Sequence, residues 1–233
     1  ALVIGAMAPD LPLFAPFLGY TTEQTHTVFA TTVTNTLVGL CLFVLWHGFL
    51  ARPADWFAPS GTRARLTPAQ QPGLRMRLAT PARVLGVLAG LYLGGLTHPF
   101  LDWFTHSGTV VTDRVALFHA QVGGLPVYYL LQILLSVVGL AVLGWWGIRW
   151  YRQAPTYPLH RQPSPLGKFA ARAAVVGGAV TAVVATGMLV VGSGTATVFA
   201  MSVAPVVATG VVSAVIATIW HLSPKDYRRM AVR

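Results

Sequence analysis

The chain has 233 residues, of which 55% are hydrophobic and 9% are charged, and its formal net charge is +10. Soluble domains contain about 25% charged residues, so the composition excludes an ordinary soluble protein and indicates a membrane protein. The basic charge does not indicate nucleic-acid binding, because fifteen of the sixteen Lys and Arg residues fall in three short stretches that border apolar segments.

Five apolar segments are long enough to cross a bilayer as helices, which takes about 18 to 20 residues. Residues 1–18 are also apolar, but they are interrupted by Asp10 and three prolines, so we expect an irregular element there that does not span fully. The sequence therefore predicts an all-α, polytopic bundle of about five spanning helices, at residues 29–50, 84–104, 125–148, 173–191 and 196–220.

The basic residues also predict the orientation of the bundle. If the five helices alternate in direction, the basic stretches 51–83, 149–172 and 225–233 all lie on one side of the membrane. Lys and Arg are enriched in cytoplasmic loops, so we expect this side, with the C terminus, to be cytoplasmic. Membrane lipids are the expected partners of these loops.

The N-terminal part of the chain carries three polar side chains that we expect on the opposite, outer side. Asp10 precedes "LPLF", where its simplest role would be to cap a helix. Glu23 and His26 lie in "TEQTHTV", just before the first spanning segment. Taken alone, His26 is typical of an ordinary helix flank. It is a candidate site residue only because other polar residues are expected beside it.

The second spanning segment carries a stripe of residues four positions apart. Gly86, Gly90 and Gly94 begin it, and "LTHPFLDWFTH" (96–106) continues the spacing with His98, Asp102 and His106 at the outer end. Residues four apart share one face of a helix, so a bare packing surface should give way to a polar one. Pro99 leaves open whether the helix continues through this region.

The chain after residue 151 is predicted to be a linker followed by a membrane scaffold. Residues 152–168, "RQAPTYPLHRQPSPLGK", are too rich in proline for a long helix and predict a cytoplasmic linker. The two apolar segments after it are rich in Ala, Val, Gly and Thr, as is common where membrane helices pack closely. We therefore divide the chain into a motif-bearing region, the linker and a C-terminal two-helix scaffold with a basic tail, at residues 1–151, 152–168 and 169–233.

The outer side should collect carboxylates and imidazoles with a single arginine, Arg114, among them. A divalent metal ion needs deprotonated ligands of this kind, and its charge offsets theirs. An imidazole and a carboxylate one helical turn apart can reach a common ion. A hydrogen-bonded polar network at the helix end would explain the same spacing about as well.

Three motifs carry a resemblance to a known family. They are "ALVIGAMAPDLPLF" (1–14), "THTV" (25–28) and "LTHPFLDWFTHSG" (96–108), and together they cover under a fifth of the chain. In them the chain resembles a bacterial family of integral membrane proteins of unknown function, itself similar in pattern to the membrane-bound metal-dependent hydrolases. The family's Pro-Asp pair matches Pro9 and Asp10, and its Thr-His-Ser/Thr motif matches residues 25–27. Its most specific motif, His-x3-Asp-x3-His, matches His98, Asp102 and His106.

The resemblance implies a bacterial inner-membrane hydrolase that acts on an ester or phosphoester, with a lipid-derived substrate suggested by the location of the site. One or two divalent ions, first of all Zn²⁺, would activate a water molecule at the extracytoplasmic face. The expected ligands are His26, His98, Asp102, His106 and Asp10. A carboxylate that does not bind the metal, Asp10 or Glu23, would serve as general base.

Two hypotheses from other classes stay open on the sequence alone. In a proton- or cation-coupled transporter, Asp102 and the histidines would form the ion site. No paired broken helices are visible in the two halves of the chain, which speaks against a transporter. In a non-enzymatic scaffold, the glycine stripe would be a surface for partner helices.

Overall fold

The computed structural model describes residues 1–15, 19–27, 29–66, 72–159, 169, 176–177 and 195–223. The described chain is mostly helical, with one two-stranded hairpin. The helices are α1 (Leu2–Met7), α2 (Leu11–Phe14), α3 (Thr22–Thr25), α4 (Asn35–Leu45), α5 (Ala51–Phe57), α6 (Ser60–Arg63), α7 (Leu74–Arg77), α8 (Pro81–Thr105), α9 (Val127–Gln153) and α10 (Thr195–Leu222). The strands are β1 (Gln121–Val122) and β2 (Leu125–Pro126).

Three of the described helices are long and apolar enough to cross a membrane. Helix α4 lies between two π-helical turns, Ala30–Thr34 and Trp46–Leu50, and is continuous with α5, so that one helix covers Ala30–Phe57. The other two are α8 and α9. These helices agree with the predicted spans at 29–50, 84–104 and 125–148 and indicate a membrane protein.

The five-helix bundle stays a prediction. The expected span at 173–191 lies outside the described residues apart from Val176 and Gly177. Helix α10 covers the expected span at 196–220, but its described apolar stretch, Thr209–Leu222, is shorter than a span requires. The division at residues 151 and 168 also stays a prediction, because the linker is described only to residue 159 and the basic tail lies outside the described part.

The chain forms two compact units, one made of Ala1–Cys41 and Leu85–Gly147 and the other of Leu42–Val84 and Ile148–Arg233. In the first unit, α1 packs directly on α8 through glycines. A Cβ atom at Gly94 would overlap the carbonyl oxygen of Leu2, and one at Gly5 would overlap the carbonyl oxygen of Leu91. Glycine is therefore required at both positions, since a backbone oxygen cannot move aside as a flexible side chain can.

The segment after α8 folds back against the end of that helix. The hydroxyl of Thr112, which is fully buried, donates to the carbonyl oxygen of His106 at 2.9 Å. The hydroxyl of Thr109 donates to the carbonyl oxygen of Trp103 at 2.7 Å. These bonds satisfy carbonyls that the end of the helix would otherwise leave free. The antiparallel pair β1 and β2 follows, joined by Gly123 and Gly124 with φ of 60° and 83°.

The second unit is held partly by arginine and histidine contacts. Arg65 lies over the ring of Tyr151, with 3.9 Å between its guanidinium carbon and the ring centroid, and its Nε donates to the carbonyl oxygen of Tyr151 at 2.6 Å. The ring of His221 stacks on Phe49 at 4.8 Å between centroids, and its Nε2 lies 3.0 Å from the carbonyl oxygen of Phe49. These side chains serve packing within the unit.

Candidate metal centre

Helix α8 presents His98 and Asp102 on one face. The helix is continuous from Pro81 to Thr105 with Pro99 inside it, so the proline does not interrupt the stripe. His98 and Asp102 are therefore one turn apart, and Nε2 of His98 lies 3.2 Å from Oδ2 of Asp102. The neighbouring Gly94 and Gly95 are buried, which brings other backbone segments close to this end of the helix.

His26 is positioned by the short helix α3. Thr21 and Gln24 form a capping box at its start, since each backbone N–H donates to the other residue's side chain, at 2.9 Å and 3.3 Å. His26 follows directly after the helix, and its Nδ1 lies 2.7 Å from the carbonyl oxygen of Thr22. The local turn therefore fixes the direction of the imidazole ring.

Asp10 lies at the start of α2, as its position before "LPLF" predicted, but it does not cap the helix. Its side chain makes no capping hydrogen bond. Instead, Oδ1 of Asp10 lies 3.4 Å from Nε2 of His98. The carboxylate is thus directed at the α8 side chains.

The structure brings four of the predicted ligands into contact, and three of them, Asp10, His26 and His98, form a group that could hold one ion. Nε2 of His26 and Nε2 of His98 lie 3.1 Å and 3.2 Å from Oδ2 of Asp102. The same two atoms lie 4.0 Å and 3.4 Å from Oδ1 of Asp10. Asp10, His26 and His98 can each direct one ligand atom to a point, with all three atoms within 4.8 Å of one another. Ligand atoms about 2.0 to 2.1 Å from a tetrahedral zinc ion lie about 3.4 Å apart, so the spacing suits such an ion.

The two imidazoles are held with Nε2 facing inward. Nδ1 of His98 lies 2.8 Å from the carbonyl oxygen of Ala6, and Nδ1 of His26 has the corresponding contact with Thr22. A carbonyl oxygen only accepts, so each Nδ1 must carry the proton and donate it. In a neutral ring this leaves a lone pair on each Nε2, facing carboxylate oxygens that also carry lone pairs. Only a cation between them, either a proton on each ring or a metal ion, makes this arrangement favourable.

His106 takes a different position from the other predicted ligands. Its Nδ1 lies 3.3 Å from Oδ1 of Asp102, the oxygen that does not face His26 and His98. Its Nε2 lies 3.5 Å from the side-chain nitrogen of Gln132 on α9. The side chain is 50% exposed, against 19% for Asp102. The described geometry suits a group that orients Asp102 better than a further ligand in the same cluster.

The charges of the centre are balanced by histidines alone within the described residues. The ion pairs of Asp10 and Asp102 are all with imidazoles. The hydrogen bond to Asp102 raises the pKa of His26 above its ordinary value, although partial burial acts in the opposite direction. The two carboxylates therefore favour a positive charge between them, which a divalent ion would also supply.

Glu23, the other carboxylate predicted as a general base, lies apart from this group. It is in the first turn of α3 with an exposed side chain, and within the described residues it forms no ion pair with the imidazoles. The roles predicted for Asp10, Glu23, His26, His98, Asp102 and His106 stay predictions, but the structure separates Glu23 from the other five.

Two buried polar residues near the centre had no role assigned from the sequence, although Thr25 belongs to the Thr-His-Ser/Thr motif. Thr25 donates its hydroxyl to the carbonyl oxygen of Pro9 at 2.7 Å, and Asn35 donates its side-chain N–H to the carbonyl oxygen of Thr25 at 2.7 Å. Each is 1% exposed. The sequence did contain one signal for Asn35, since an amide in an otherwise apolar spanning segment is expensive and needs a partner.

A family model described as a domain of unknown function (DUF4184) matches residues 1–221, which include every residue of the candidate centre. No curated protein and no solved structure matches the chain. The comparisons therefore assign the chain to a family. The likeness to metal-dependent hydrolases rests on the sequence motifs alone.

Proposed function

The chain belongs to the DUF4184 family, and we propose that it is a membrane-bound, metal-dependent hydrolase. Its centre would hold one divalent ion, with Zn²⁺ the first candidate, between Asp10, His26, His98 and Asp102. The substrate would be an ester or phosphoester, most simply a lipid-derived one, because the centre lies in the last two turns of a helix long enough to span a membrane.

One observation carries this proposal: two imidazoles have their Nδ1 atoms committed to backbone carbonyls and direct Nε2 at the same two carboxylates. Histidines that bind metals usually donate their other ring N–H to a carbonyl or carboxylate, which fixes tautomer and ring orientation. Two neutral imidazoles and two carboxylates carry a charge of −2, which a divalent ion neutralises. Two nitrogen and two oxygen ligands are within the range of sets that zinc accepts.

The residues divide into two groups by their contacts. Asp10, His26, His98 and Asp102 would hold the ion, which would supply Lewis acidity, and a water molecule would have to add as a fifth ligand or replace one carboxylate. Nδ1 of His106 lies 3.3 Å from the second carboxylate oxygen of Asp102, so His106 would orient this carboxylate from a half-exposed position. The 38% exposure of the Asp10 side chain leaves the centre open to a substrate on one side.

The proposal is tested by measuring metal content and hydrolysis on detergent-purified protein. We expect about one equivalent of zinc in the wild type and its loss in Asp102→Asn, because that carboxylate faces both imidazoles. The matched control is Asp113→Asn, which removes an exposed carboxylate from the loop after α8 and should retain the metal. Hydrolysis of a chromogenic phosphodiester and a short-chain phospholipid should stop with a chelator and return with zinc.

Two results would contradict the proposal at different points. Folded wild-type protein without metal would leave the four side chains as a hydrogen-bonded network and remove the hydrolase hypothesis. Bound metal without hydrolysis of any ester would keep the centre and remove the reaction. Metal-dependent ion flux in proteoliposomes would then favour a transporter.

The metal affinity should depend on pH. Imidazole must lose its second proton to bind a metal, so protons and zinc compete for the same Nε2 atoms. Since Asp102 stabilises the protonated form of His26, this competition begins above the ordinary pKa of histidine. We expect the zinc affinity to fall by about tenfold per pH unit for each proton displaced as the pH is lowered through this range. Competition titrations from roughly pH 8 to pH 5, a range that brackets the histidine pKa, measure how the zinc affinity changes with pH. A zinc affinity that does not change with pH would exclude imidazole ligands.

A further inference from the structure

We infer that Asn35, a buried amide in the first long helix, positions two metal ligands, His26 and Asp10, through Thr25. The inference rests on the proposed metal centre and extends it from the side chains that face the ion to the groups that hold them. Asn35 does not face the ion itself; it acts through the backbone of the segment that carries His26.

The amide of Asn35 is committed to that segment. Its side chain is 1% exposed, and its Nδ2 lies 2.7 Å from the carbonyl oxygen of Thr25. Because a carbonyl oxygen only accepts, the orientation of the amide is fixed with the nitrogen towards Thr25. Its Oδ1 is buried and has no hydrogen-bond partner within the described residues. An amide kept half-satisfied in an apolar helix is costly, and the single bond it makes is the one that holds the ligand segment.

Thr25 continues the connection to the second ligand. Its hydroxyl lies within hydrogen-bond distance of two carbonyl oxygens, that of the fully buried Pro9 at 2.7 Å and that of Thr22 at 2.8 Å, so one proton is shared between them. His26 follows Thr25 in the chain and Asp10 follows Pro9. Two hydrogen bonds therefore tie the first long helix, the segment around α3 and the N-terminal segment together, one residue away from each ligand.

The effect of breaking this connection should appear in metal affinity. Partners of metal ligands typically change affinity by about 10 to 100-fold when they are removed. Asn35→Leu replaces a residue of low helical propensity by one of high propensity and removes a buried polar group, so the helix itself should not be weakened. The carbonyl of Thr25 loses its donor, and the segment carrying His26 is released.

The experiment measures the zinc dissociation constant by competition titration, and the thermal midpoint of the metal-free protein, on the full chain in detergent. Asn35→Leu and Thr25→Val should each weaken zinc binding by about tenfold or more, with midpoints close to that of the wild type. Thr25→Ser keeps the hydroxyl and should restore wild-type affinity. Thr36→Val is the control, because among the described residues the Thr36 hydroxyl bonds within its own helix, to the carbonyl oxygen of Thr31.

The outcomes separate this inference from the proposed function. Zinc binding by the wild type together with unchanged affinity in Asn35→Leu overturns the inference alone. A lowered midpoint with unchanged affinity shows a purely structural role and also overturns it. If Asn35→Leu does not fold, the zinc affinities of Thr25→Val and Thr25→Ser provide the test. Equal affinities in these two variants overturn the inference, and weaker binding in Thr25→Val supports it. A folded wild type that binds no zinc overturns both the inference and the proposed function.

Discussion

Replacing His98 by alanine is expected to lower zinc affinity by more than about 100-fold, since removal of a partner behind a ligand alone costs about 10 to 100-fold. Nε2 of His98 lies within 3.4 Å of both Asp10 and Asp102, whereas Nε2 of His26 lies 4.0 Å from Asp10. Its loss leaves two carboxylates facing one remaining imidazole, His26, so the ion would lose one of its four proposed ligands and the more strongly placed of the two nitrogen donors. Competition titration against a zinc indicator dye measures the change in the zinc dissociation constant.

His119→Ala is the matched control for this variant. His119 is an exposed histidine in the loop after α8, and its ring contacts Tyr128 at 5.7 Å between centroids. It should keep the wild-type affinity and the wild-type zinc content. Equal zinc binding in His98→Ala and His119→Ala would show that any bound metal lies elsewhere on the chain.

The second large effect is expected at Gly94, which is not a ligand. In Gly94→Ala the added Cβ overlaps the carbonyl oxygen of Leu2, and this backbone atom can only move by displacing α1. Overpacking of this kind costs about 1 to 3 kcal/mol. Displacement of α1 also removes the Ala6 carbonyl that accepts from Nδ1 of His98. We therefore expect both a lower thermal midpoint and a loss of zinc.

Gly86→Ala provides the control on the same helix and the same stripe. A Cβ at Gly86 meets nothing within 4 Å. Alanine is a better helix former than glycine by about 1 kcal/mol, so Gly86→Ala should be neutral or slightly more stable. Comparable stability and zinc content in Gly86→Ala and Gly94→Ala would contradict the close packing of α1 on α8.

The sequence could predict the parts of this protein that depend on local pattern. Apolar length gave the three long helices, and spacing of four gave the shared face of His98 and Asp102. Both depend only on helix geometry and on the thickness of a bilayer. The stripe of Gly86, Gly90 and Gly94 also indicated a close-packed surface, although only the last two contact α1 closely.

The meeting of the ligands could not be predicted from local pattern. Asp10 and His26 reach His98 only because α1 packs on the glycines of α8 and because Thr25 bonds to Pro9, and both contacts join distant parts of the chain. The resemblance placed these residues in one site without giving its geometry. His106 shows the limit of spacing as a guide, since it continues the stripe but approaches Asp102 from the opposite side.

The hydrogen bond between His98 and the Ala6 carbonyl joins residues 92 positions apart, which sets an order for biogenesis. At a translation rate of about 5 to 20 residues per second, roughly 5 to 20 seconds separate the synthesis of the two residues. During this interval Asp10 and His26 already exist, but the helix that completes their surroundings has not been made. The centre can therefore close only after α8 has been synthesised, so an ion that binds there would have to be loaded after that helix is made.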